Sequence, residues 1–243
     1  MIVAAALCPA PPLLARELTG ADPVLPELRE ACLDAAANLL TAVPDLVAVV
    51  GVAEQTRHWD PRSGLDLAPY APALRAARTC PDDGDGSAPP VPLPLGLAAR
   101  LLDQAGYGAD RVLHSVGERA PAWDCAALGQ QLAAAAERVG LLVMADGSAR
   151  RGPKAPGHLD ERSAPFDAEV ERAIRAGDMA ALLAMDSDLA HDLMATGRPA
   201  WQVLAGALAG RQPACDILYS GDPFGVAYLV ASLTPAADST IAG

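Results

Sequence analysis

Lysine is almost missing from this chain: Lys154 is the only one, and arginine carries the rest of the basic charge. Aromatic residues are scarce at 4%, while alanine is abundant. Such a composition drifts toward Ala and Arg everywhere, so an alanine at a motif position says less here than in other chains. The net charge is −12. Nucleic-acid binding needs a basic stripe that displaces counterions from phosphates, and none is visible. No apolar run approaches the length of a membrane span. The five cysteines are odd in number and widely spaced, with no C-x-x-C. That pattern excludes a zinc knuckle and a thioredoxin-type motif, and a reducing compartment, the cytoplasm, is expected. Met1 to Cys8 has no basic leader and too short an apolar stretch for a secretory signal, so it reads as a first buried strand.

Signatures of common catalysis are missing as well. There is no G-x-x-x-x-G-K-[ST], no G-x-G-x-x-G following a strand, no G-x-S-x-G elbow and no H-E-x-x-H. The acidic run within Pro81 to Pro94 lacks the alternating carboxylates and distal Glu of a calcium loop, and reads as a solvated loop.

What is present is a globular composition. The chain has 243 residues, 51% hydrophobic and 20% charged, which suits one α/β domain over 1–243 with a sizeable core. Short apolar runs at Ile2 to Leu7, Asp45 to Val52, Arg111 to Val116, Leu141 to Ala145 and Cys215 to Tyr219 read as strands. Helical spacing marks Leu25 to Leu40, Leu95 to Ala105, Cys125 to Val139 and Phe166 to Ala176, the last closed by Gly177. Two or three more helices follow up to Ala209, and Val226 to Leu233 is a last apolar element. Strands alternating with helices predict a three-layer sandwich: a largely parallel central sheet covered by helices on both faces. Ligands of such sheets sit beyond the carboxyl ends of the strands. The polar loops Cys8 to Pro12, Glu54 to Asp60 and Asp146 to Asp160 fall there, and the turn around Asp222 is expected to join them.

Four histidines are spread along the chain. His114 sits inside a strand pattern and reads as a packed, hydrogen-bonded residue. His191, beside Asp192, reads as part of a solvated helix face, and His158 lies in a long loop that closes over the site or packs statically. His58 follows the strongest strand directly and is the best candidate for chemistry. Asp146-Gly-Ser-Ala-Arg-Arg-Gly152 leaves a buried strand carrying a carboxylate, a hydroxyl and two guanidiniums. Arg150 and Arg151 there suit carboxylate or phosphate ligands, or else pair with local acids.

In order along the chain, four segments resemble the motifs of class III extradiol ring-cleavage dioxygenases and their Memo-like cousins. Leu7-Cys-Pro-Ala-Pro-Pro-Leu-Leu14 resembles the first motif, where a histidine precedes paired prolines. The segment ending at His58-Trp59 resembles the second, with another histidine ligand. Ala145-Asp-Gly-Ser-Ala149 resembles the motif whose histidine acts as acid and base, and Asp222-Pro-Phe-Gly-Val-Ala-Tyr-Leu-Val230 resembles the closing segment. The phrasing around Asp146 to Asp167 and Gly197-Arg-Pro-Ala-Trp201 is most similar to an uncharacterised bacterial branch. The resemblance implies a non-haem Fe(II) site of two histidines and a carboxylate, with open positions for a catechol and O₂. Yet Ala10 stands at the first histidine position and Ala149 at the acid/base position. An alanine methyl neither ligates a metal nor carries a proton. His58 survives, and Asp222 or Glu54 could supply the carboxylate.

Three readings follow. The first is a divergent, non-dioxygenase member that binds a small ligand or a protein partner in a pocket formed by Cys8, Ala10, His58, Asp146, Ser148, Ala149, Arg150 and His158. The second is an active oxygenase with substituted ligands, holding Fe(II) or another divalent metal through His58, Asp222, a soft Cys8 thiolate and His158. The third is a non-catalytic subunit of a larger assembly. A homodimer fits any of them. The geometry expected is that Ala10, His58 and Ala149 share one pocket, walled by Asp146 and Ser148.

Overall fold

The computed structural model describes residues 1–20, 24–67, 69–71 and 90–236. The loop expected over Pro81 to Pro94 falls largely outside them, as does Cys80. Seven strands form one sheet: β1 (Ile2–Cys8), β2 (Leu46–Ala53), β3 (Arg57–Trp59), β4 (Arg111–Gly117), β5 (Val139–Met144), β6 (Ala214–Gly221) and β7 (Tyr228–Thr234). The helices are α1 (Arg16–Thr19), α2 (Pro26–Thr41), α3 (Leu93–Gln104), α4 (Ala122–Ala133), α5 (Ser163–Arg175), α6 (Met179–Leu183), α7 (Ser187–Asp192) and α8 (Arg198–Ala207). Among the described residues, no helix is long and apolar enough to cross a membrane.

The strand order is β3-β4-β2-β5-β1-β7-β6. The four central strands are parallel, and antiparallel neighbours close both sides. Strands β1, β2 and β5 are apolar on both faces because both faces are covered. Alternate residues split between two cores. Ala48, Val50, Leu141 and Val143 pack with α4, α5, α6 and α8. Val47, Val49, Leu142 and Met144 pack with α2 and α3 on the opposite face. This is the three-layer α/β sandwich read from the alternation of elements.

The crossovers explain the strand order. The chain runs β1-α2-β2-α3-β4 with both helices on one face, then returns through α4 to β5 on the other. A right-handed crossover demands that change of face when the direction along the sheet reverses. It opens a crevice at the carboxyl ends of β1, β5, β2 and β4, where the chain leaves neighbouring strands toward opposite layers.

Two elements differ from the sequence reading. The helix expected from Cys125 to Val139 stops at Ala133, and Val139 opens β5 instead. Val139 pairs with both Ile2 and Leu46, so strand register claims a residue whose apolar spacing also suits a helix. The expected polar loop Glu54 to Asp60 contains β3, a short edge strand paired with β4. Trp59 Nε1 donates to Ser115 Oγ at 2.8 Å and ties that edge down. The long irregular stretch after β5 persists to Ser163, where α5 starts, and Gly177 follows α5 with φ +64°.

Helices α4 and α8 touch through glycines. A Cβ on Gly129 would stand 2.2 Å from the Val203 carbonyl oxygen, and one on Gly206 would stand 2.4 Å from Ala126. Only hydrogen at these positions allows so close a backbone approach.

Candidate functional site

The ends of β1 and β5 are stitched together. Ala145 N–H donates to the Cys8 carbonyl at 2.8 Å, and Ala10 N–H donates to Asp146 Oδ1 at 2.8 Å. Gly197 N–H donates to the Asp146 carbonyl at 2.9 Å from the start of α8. A Cβ on Gly197 would stand 2.4 Å from that carbonyl oxygen, so a glycine is required where α8 meets the strand end. Asp146 is thereby fixed from two sides at the switch point of the sheet.

A cavity of about 650 Å³ opens there, within the range of small-molecule sites. Ala10, Pro12, Val52 to Gln55, Pro92 to Pro94, Glu118 and Asp146 line it, with Arg57, Trp59 and Tyr70. The Arg57 guanidinium lies 4.1 Å from the Trp59 ring centroid, a cation–π contact that fixes the indole wall. Glu54 and Glu118 stand exposed at the rim. Burial pushes the Asp146 carboxyl up to about 6, against the opposing hydrogen bond from Ala10. Burial, with the negative charge of Asp146 adding to it, also pushes the nearby Tyr228 phenol well above its ordinary value. Near neutral pH the cleft thus holds a carboxyl able to donate or accept a hydrogen bond.

Of the sequence-predicted residues, Ala10, Asp146 and the alternative carboxylate Glu54 line this cavity, and the others are not among its lining residues. His58 is exposed on β3, its ring centroid 5.0 Å from that of His114. His58 does not line the cavity with Ala10, because side chains alternate along β3: Arg57 and Trp59 face the cavity and His58 faces the other side, beside His114. Cys8 is fully buried in the core against α2, its Sγ 3.9 Å from the Cys32 carbonyl oxygen, and its thiol is pushed well above the ordinary value, first by its contact with Cys32 and then by burial. It offers no thiolate to the cleft.

Ser148 is also buried away from the cleft. Its Oγ donates to Asp167 Oδ2 at 2.5 Å, and its N–H donates to Oδ1 at 2.9 Å. Ala149 N–H donates to the Leu193 carbonyl, and its own carbonyl accepts from Gly157 N–H. Arg150 donates to the carbonyls of Gly157 and Asp192, so its guanidinium braces the loop. His158, at φ +59°, is exposed, with Nδ1 2.9 Å from the Pro153 carbonyl. Asp222 pairs with Arg151 at 2.8 Å, while Asp167 lies 3.8 Å from the same guanidinium.

These positions do not suit the iron site that the resemblance implies. His58 lies on β3 and Asp222 follows β6, the two opposite edges of the sheet. At about 4.8 Å per strand spacing they are separated by roughly 30 Å, far beyond two ligands of one ion. Among the described residues, no group of three or more His, Cys, Asp and Glu side chains is placed to hold a metal ion.

Sequence reasoning placed the loop Glu54 to Asp60 at this edge without singling out Arg57 or Trp59, and it missed Tyr70 and Glu118 as cleft walls. Nothing in the sequence pairs Ser148 with Asp167 either, since their contact depends on where α5 lands.

No family model matches the chain, and no curated protein matches it. Among solved structures it is similar to the uncharacterised protein JW3007 from Escherichia coli K12, with a TM-score of 0.55 and 14% identity over 96% of this chain and 99% of that one. A likeness at this identity concerns the fold.

Proposed function

We propose that this chain is a divergent relative of the class III extradiol dioxygenases that binds a small molecule, without a metal, in the cleft over Asp146. The observation that carries the reading is the carboxyl of Asp146, clamped by the Ala10 N–H at the carboxyl edge of the parallel strands and held near neutrality. Alternating protonation lets it accept from a donor above pH 6 and donate to an acceptor below it. The flat faces of Trp59 and Tyr70 and the rings of Pro12, Pro92 and Pro94 suit a compact ligand with an apolar, planar body. The order of the four motif-like segments supports the kinship, and the first and third of them meet in this crevice. No catalytic step is assigned to the alanines that stand in place of histidines.

A ligand-observed NMR screen of small phenols, amides and amines tests the reading. Hits are expected to bind with affinity that changes across about pH 5–7 and to be weakened by Asp146→Asn. A screen without hits, or hits indifferent to that substitution, would refute it.

A further inference from the structure

Gly197 braces the Asp146 backbone through its N–H, but the next residue, Arg198, lines a different cavity. Arg198 is 4% exposed. Its guanidinium donates to Gln202 Oε1 at 2.7 Å and to the carbonyls of Glu118 and Ala120, each at 3.0 Å. All three acceptors are neutral, and arginine has two further N–H donors. Arg198 enters none of the ion pairs among the described residues. Buried charges are ordinarily paired, because desolvation is costly until an opposite charge offsets it.

This unpaired guanidinium borders a cavity of about 460 Å³ with Arg119, His191, Ser187 and Thr196 in its walls. Arg119 Nη2 lies 2.6 Å from His191 Nε2. A guanidinium only donates, so this contact fixes the Arg119 fork and leaves Nε2 as the acceptor. Two guanidiniums, two hydroxyls and an imidazole thus surround one space. Glu118 and Asp188 also line it, but both are exposed, where water and salt screen them. Arg198, at the floor, is screened far less.

We propose that this cavity binds the oxyanion group, carboxylate or phosphate, of a small molecule between Arg198 and Arg119. The forked donors of arginine match the paired oxygens of either group. The site is separate from the Asp146 cleft, although Glu118 lines both cavities, and its binding does not depend on occupancy of that cleft.

The test is ¹H–¹⁵N NMR titration of the full chain with sodium phosphate and, separately, sodium acetate, at constant ionic strength set with chloride. Saturable shifts of the Arg198 Nε–H and of the Thr196 amide are expected with one or both anions, and the anion that saturates identifies the group. Arg119→Gln, at an exposed position that should leave the unfolding temperature unchanged, is expected to weaken binding about tenfold or more, the loss of a charge-assisted contact. Absence of saturable shifts with both anions, or equal affinity in Arg119→Gln, would overturn the proposal.

Discussion

Replacing Asp146 with asparagine should stabilise the protein at alkaline pH while weakening its cleft. Burial raises the folded-state value of this carboxyl from 3.8 to about 6. A raised carboxylate favours the protonated folded form, so its contribution is most favourable below pH 3.8 and is lost as pH rises toward 6. Above pH 6 the ionised group costs about 3 kcal/mol relative to the unfolded chain, at about 1.4 kcal/mol per unit. At pH 4.5 the unfolded chain is already mostly ionised, and about a third of the cost is in place. Asparagine keeps an oxygen for the Ala10 N–H and carries no charge. The stability difference between variant and wild type should therefore grow by about 2 kcal/mol from pH 4.5 to pH 8. All other titrations cancel in that comparison. For a chain of this length the change corresponds to about 4–8 °C in melting temperature. Thermal unfolding of both proteins at the two pH values measures it. A difference that is flat with pH, or that shrinks toward pH 8, would refute the assignment of a buried, proton-binding carboxyl at this strand end.

Three further outcomes are expected. His58→Ala should change stability by no more than about 0.5 kcal/mol, as for an exposed position, and leave cleft ligands bound, measured by melting and by the same NMR screen. Gly129→Ala should cost about 1–3 kcal/mol or more in chemical denaturation, because its methyl would collide with the Val203 carbonyl where α4 crosses α8. In the native protein at pH 8, Cys8, Cys32 and Cys125 should resist a thiol reagent until the chain unfolds, since all three are buried and burial pushes the Cys125 thiol up to about 11; rapid native labelling of Cys8 would contradict its place in the core.

The architecture was legible because it depends on local pattern. Doubly buried strands need unbroken apolar runs, and Ile2–Cys8, Leu46–Ala53 and Val139–Met144 carry them. Alternation with helices then leaves few topologies, and right-handed crossovers place loops such as Pro9 to Pro12 and Asp146 onward at one edge. Residues next to these strand ends, Ala10 and Asp146, could be placed at the carboxyl edge of the sheet from sequence for that reason. Edge pairing was not legible: β3 has three residues, too few for a period, and its pairing with β4 turned His58 away from the cleft.

The sequence by itself determined the layers and the parallel centre, since hydrophobic period is a property of the chain read locally. Only the tertiary structure decided which polar groups meet. Asp146 with Ala10, Ser148 with Asp167, and Arg198 with the carbonyls of Glu118 and Ala120 are contacts between segments distant in sequence. Such contacts follow from where helices and crossovers land, and the burial that shifts Asp146 or leaves Arg198 without a counter-charge exists only once those layers have closed.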